Sequence, residues 1–189
     1  FMEGQGAHTL YFVESGIVKT YKSTESGKEF ITGIHTKGNF IGQLSLLNQN
    51  GTYLESATVI EDAEVYHIPK SDFIHLLYDN KEVSQKFMNL ISNDLIEVQK
   101  QLVNMAYASV RQRGARALLN LHKKGLIMDS PNEGIDIPRE DFASMIGTAT
   151  ETAIRALSDF KDEGLISMGQ ARRIVLLDKG ELQNIVDFR

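Results

Sequence analysis

The sequence changes its period at Pro69, and that change restricts the chain to a small set of architectures. Before it, short runs of β-branched and aromatic residues alternate with turn signals; after it, apolar residues recur at helical spacing. The runs are Tyr11-Phe12-Val13, Ile17 to Tyr21, Phe30 to Ile34 and Glu64 to Ile68. Between them lie Glu14-Ser15-Gly16, Ser26-Gly27, Lys37-Gly38-Asn39 and Asn50-Gly51, residue types that suit the backbone angles of turns. Many short strands separated by glycine turns predict a small antiparallel roll over residues 1–80. From about Lys81 the pattern predicts one long helix, 81–107, with Ile91, Leu95, Val98, Leu102 and Met105 at alternating steps of four and three. Such a stripe is a coiled-coil seam that joins two copies of the chain, or else it packs on the chain's own β-domain.

Length and composition agree with two small cores. The 189 residues are 42% hydrophobic and 24% charged, without a run approaching the ~18 apolar residues of a membrane span. A soluble cytoplasmic protein with no membrane partner is expected. Cysteine is absent, which removes disulfides, thiolate metal sites, cysteine-ligated iron–sulfur clusters and cysteine nucleophiles from consideration within these residues. No metal site is expected. The chain opens on Phe1, inside a run that reads as structure, so the N-terminal domain is expected to be incomplete.

Charge is distributed unevenly. Residues 1–107 hold 8 Lys, no Arg and 13 Asp+Glu, whereas residues 108–189 hold 8 Arg, 4 Lys and 12 Asp+Glu. Arginine suits bidentate contact with phosphate and guanine, so its segregation marks 108–189 as a candidate nucleic-acid domain; clustering on solvated helices is the plainer reading. Local pattern favours the former. Val110 to Lys124 reads as a helix capped by Gly125, followed by a polar hairpin region at residues 129–134. Pro138 to Gly147 reads as a short helix with Phe142, Ala143 and Ile146 on one face. Thr150 to Glu163 reads as another, with Ala153, Ile154, Leu157 and Phe160 apolar and Thr150, Glu151, Arg155 and Asp159 polar. Two short helices about a glycine turn make a helix-turn-helix. Leu165 to Met168 and Arg172 to Leu177 then read as two strands about a tight turn, a wing.

In this order the segments resemble the Crp/Fnr transcription regulators, the superfamily of the cyclic-AMP receptor protein and the fumarate–nitrate reduction regulator. Phe12 to Val18 resembles the family's early roll strand, Gly38 to Ser45 the start of its phosphate cassette, and Asn104 to Val110 the junction between dimer helix and DNA domain. Thr150 to Arg155 resembles the start of its recognition helix, and Asp162 to Ile166 the approach to its wing. The resemblance implies an α+β chain: a cyclic-nucleotide-binding-like β-roll (1–80), a dimerisation helix (81–107) and a winged helix-turn-helix (108–189). It implies a bacterial homodimer on an inverted-repeat operator in double-stranded DNA, with RNA polymerase as a further partner, and no enzymatic activity. Thr150, Glu151 and Arg155 are then base readers, and Thr148, Arg172 and Arg173 backbone contacts. The plainer reading of Glu151 and Arg155 is an ion pair one helical turn apart, worth ~0.3–0.5 kcal/mol.

Departures from the family bear on the effector. Cyclic-nucleotide binders hold the ribose with a Glu after the cassette glycine and the phosphate with an Arg-Ser pair; here Gly42 is followed by Gln43 and Leu44, and Ser56 by contrast follows Glu55. A carboxylate facing a phosphate is repulsive, and no arginine in residues 1–107 could replace the missing one. A Thr-Ser pair that reaches the base from the long helix is replaced by Val98 and Gln99. These changes argue against cyclic AMP, and the lack of cysteine argues against an iron–sulfur cluster. The effector is left open. Haem is one alternative, with His35 among His8, His35, His67 and His75, or a residue upstream of Phe1, as its ligand; a small organic ligand, control at the protein level and an empty pocket are further ones. A β-barrel metalloenzyme and a protein-interaction module are others.

Overall fold

The computed structural model describes residues 1–127, 137–169 and 173–187. It divides into two compact units, Phe1–Gln99 and Lys100–Arg189.

In the first unit every strand pairs with β1 (Thr9–Ser23). β4 (Ser56–Pro69) runs antiparallel along it from Thr9↔Pro69 to Tyr21↔Ser56. β2 (Glu29–His35) pairs with its second half, and the two-residue β3 (Phe40–Ile41) pairs with Tyr11 and Phe12. β1 therefore covers both expected runs, 11–13 and 17–21, and the turn expected at Glu14-Ser15-Gly16 is a bulge inside it. The register against β4 slips three times between Val13 and Val18. Gly16, at φ 80, lies where a Cβ would collide with the backbone of Asp62 and Ala63. A bulge and a turn both call for glycine, so only the partner strand distinguishes them.

One core cluster joins Ala7, Leu10, Leu46, Tyr53 and Phe73, tying the sheet to α1 (Gln43–Leu47) and α2 (Lys70–Asp79). A second joins Val13, Val18 and Ile41. α3 (Lys81–Tyr107) follows α2 and contains no buried residue. No described helix is long and apolar enough to cross a membrane.

The second unit is organised by local signals. α4 (Val110–Lys123) starts at a reciprocal capping box between Ser109 and Gln112. α5 (Arg139–Ile146) starts after Pro138 and stops at Gly147; α6 (Thr150–Asp162) follows within three residues. β5 (Ile166–Met168) and β6 (Ile174–Leu176) pair antiparallel as the wing. α7 (Lys179–Asp187) was not expected, although Asp178 caps it by accepting the Glu181 N–H at 2.8 Å. Leu118, Phe142, Ile146, Leu157, Phe160, Ile166 and Leu182 are almost completely buried, each worth roughly 1.5–3 kcal/mol of burial. Gly114, in mid-helix, allows the Phe160 ring to approach within 3.3 Å of where a Cβ would stand. The hairpin region expected at 129–134 lies outside the described residues.

Candidate nucleic-acid interface and sensory site

Arg111, Arg113, Arg139 and Arg155 of the second unit divide into two groups. Arg111, Arg113 and Arg139 serve the fold: Arg111 forms a two-pronged bridge to Glu163, Arg113 donates to three carbonyls, and Arg139 approaches the Ile137 carbonyl and the Met168 sulfur. Arginine segregation is thus partly a device for holding short helices together.

Arg155 belongs to the other group. On α6, Ala153, Ala156, Leu157 and Phe160 are buried, which turns Glu151 and Arg155 outward. Among the described residues neither makes an ion pair, so the one-turn pair between them is absent. Ile154, expected on the apolar face, is 45% exposed beside them; its position on the outward arc was readable from the 100° step per residue. Thr150 is half-buried in the first turn. Thr148, also half-buried, donates its N–H to the Ala143 carbonyl at 3.1 Å and closes α5. Ala149, at the N-cap of α6, has no side chain with which to cap it, which leaves that end suited to an oxyanion. In the wing the Arg173 carbonyl accepts from the Gly169 N–H at 2.8 Å. Arg172 lies outside the described residues.

In the first unit, Gly42 adopts φ 89 and starts α1. The Gln43 amide reaches Asp94 of α3 at a long 3.5 Å, and Leu44 is half exposed. The Ser45 hydroxyl accepts the Leu54 N–H at 3.0 Å, which brings the cassette helix to the start of β4. There Ser56 is buried and its hydroxyl accepts the Glu3 N–H. Glu55 turns its carboxylate to the sheet, where the Thr32 hydroxyl donates to it. Thr32 in turn lies 3.0 Å from the Thr20 hydroxyl, and Thr20 lies 3.0 Å from His35 Nε2, so four side chains form one hydrogen-bonded chain. Burial pushes the Glu55 carboxyl above its ordinary range, against the hydroxyls of Thr32 and Thr20 and the charge of Lys22. Lys22 is bonded to Glu3 at 3.0 Å. This donor set does not fit a cyclic phosphate: its charged member is a carboxylate, and the nearby cation is held by another. Val98 and Gln99 stand exposed on α3. Of the histidines, His35 is engaged by Thr20 and His67 lies edge-on to Tyr11; among the described residues no three His, Cys, Asp or Glu converge as a metal site.

The seam residues Leu95, Val98 and Leu102 are 57%, 50% and 64% exposed, and Ile91 and Met105 are half-buried. Ile96 and Val103 continue the open apolar surface outside the expected line.

Residues 1–80 match the cyclic nucleotide-binding domain family, and residues 112–185 the Crp-like helix-turn-helix domain family. The cAMP-activated global transcriptional regulator CRP of Salmonella typhimurium is 30% identical over 87% of this chain and 79% of its own length. The anaerobic regulatory protein of Bacillus subtilis is 29% identical over 93% of this chain and 75% of its own. Among solved structures, FixK2 from Bradyrhizobium japonicum superposes with a TM-score of 0.86 at 23% identity, covering 98% of this chain and 90% of that one. At that identity the likeness speaks for the fold alone.

Proposed function

The chain belongs to the Crp/Fnr family of DNA-binding transcription regulators, whose members act as dimers and are not enzymes, and on that premise we propose that α6 reads an inverted-repeat operator through Glu151 and Arg155. The observation that carries this reading is their outward placement opposite a buried face, unpaired among the described residues. Arg155 donates to guanine O6 and N7, Glu151 accepts from cytosine N4, Thr150 reads an adjoining base, and Ile154 offers apolar contact to a thymine methyl. Thr148 contacts phosphate at the start of α6, and Arg172 and Arg173 contact it from the wing. Dimerisation through Ile91, Leu95, Val98, Leu102 and Met105 places two such helices in successive major grooves, with half-sites about 10–11 bp apart. The work is done where the chromosome lies, in the cytoplasm, with RNA polymerase as the downstream partner.

The effector, on this reading, is not cyclic AMP. The pocket residues expected from the sequence, Gly42, Gln43, Leu44, Glu55, Ser56, Val98 and Gln99, include no cation, and the Glu55 carboxylate is held by Thr32, so a phosphate buried there would lack a cationic partner, a costly arrangement. Calorimetry with cyclic AMP should show no micromolar binding; a micromolar isotherm contradicts this part of the reading. Operator selection tests the rest. Arg155→Ala should lose about 1–3 kcal/mol of affinity and relax the choice at one base pair. An unchanged preference removes α6 as the reader.

A further inference from the structure

The first turn of α6 is not anchored by its own residues, since Ala149 offers no cap. What holds the turn before it is Arg113, a residue of α4. Arg113 Nε donates to the Ile146 carbonyl at 2.7 Å, one terminal nitrogen to the Ala108 carbonyl at 2.8 Å, and the other lies 3.5 Å from the Gly147 carbonyl. Ile146 and Gly147 end α5, where carbonyls have no intrahelical partner and the helix dipole is negative. Ala108 lies between α3 and α4. A guanidinium suits this task because its donors are fixed in one plane, so moving one carbonyl moves the others; an ammonium has no such geometry. At the other end of α6, Arg111 grips Glu163 and lies over the Phe160 ring at 5.0 Å.

We propose that Arg113 is a positioning residue for DNA recognition: it locks the helix-turn-helix turn to the backbone at Ala108, so that the end of the long helix sets how α6 is presented to DNA. The inference rests on the reading of α6 given above. It assigns Arg113 no contact with DNA, and that separates it from Arg155.

The test uses the full chain, the operator selected with the wild type, and a scrambled duplex of equal length. Arg113→Met should weaken operator binding about 10- to 100-fold, the value of one or two misplaced base contacts, while scrambled-duplex affinity changes less than about two-fold. The salt slope should stay unchanged, because no phosphate contact is lost. Arg113→Lys should fall between. Amide exchange over 146–151 should quicken in both variants and stay constant in β5 and β6. A salt slope shallower by about one unit makes Arg113 a phosphate contact and overturns the proposal. Equal losses on both duplexes, or an unchanged operator affinity, overturn it as well. If the wild type itself prefers no duplex, the reading of α6 fails before Arg113 is reached.

Discussion

α3 and α6 are both helices with apolar residues at helical spacing, and the chain treats them in opposite ways. α6 packs on α4, α5 and β5, and its stripe Ala153, Ala156, Leu157 and Phe160 is buried. α3 has no buried residue along its 27, and Leu95, Val98 and Leu102 of its seam are open to solvent. Periodicity alone does not separate these cases, since an amphipathic stripe states only that something apolar must cover it. The difference lies in what covers it. A stripe closed by its own domain stabilises that domain; a stripe left open stabilises only an assembly. The outward residues invert accordingly: polar Glu151 and Arg155 on α6, apolar Leu95, Val98 and Leu102 on α3.

The comparison is broken most forcefully at Phe160. It is fully buried against Gly114 and Arg111, so Phe160→Ala should destabilise the second unit by about 3–5 kcal/mol, read as a lower midpoint in urea. A loss below ~1 kcal/mol would mean that α6 is not held by its own core. Leu102→Asp should do the reverse. An exposed position tolerates a charge in the monomer, within about ±0.5 kcal/mol, but an unpaired ion at a dimer seam costs ~3 kcal/mol or more of association. Sedimentation should show monomers with an unchanged far-ultraviolet spectrum. A dimer of wild-type affinity would place the interface elsewhere.

The helix-turn-helix was legible because its boundaries are written locally: Pro138, Gly147 and Gly125 each end or begin an element within two residues of where they stand. Asp178 ahead of Glu181 is the same kind of local signal for α7. What the chain alone did not disclose depends on residues far apart in sequence. Gly16 signalled a change of direction, but whether a turn or a bulge was decided by Asp62 across the sheet. Arg113 is one of the eight arginines segregated in 108–189, and its role depends on Ile146, 33 residues away. Glu55 was expected to face a ligand; Thr32, 23 residues away, takes its carboxylate instead.

Glu55 gives the finest test of the contrast between what a chain covers itself and what it leaves open, because here a charge is covered. Burial is the largest influence on it and raises its folded-state pKa, only partly opposed by Thr32, Thr20 and Lys22, while Glu3 adds to the rise. A carboxyl whose folded pKa exceeds its unfolded value contributes stability in full below the unfolded value, about 4.3, and loses it as pH rises through the folded value. The first unit should therefore become more stable as pH is lowered from 7 toward about 4.3. Glu163 works in the opposite window: the hydrogen bond from Arg111 lowers its pKa, so its contribution is present above about 4.3 and lost only as pH falls further. Urea unfolding followed by tyrosine fluorescence reports mainly the first unit, because the chain has no Trp and five of its six Tyr lie there. Glu55→Gln should flatten the pH dependence above about 4.3, exceed the wild type at pH 7 and approach it at the acid end of that window. A variant less stable than wild type at pH 7 would mean that the ionised carboxylate is held favourably by Thr20, Thr32 and Lys22, and that the chain has covered this charge at no cost.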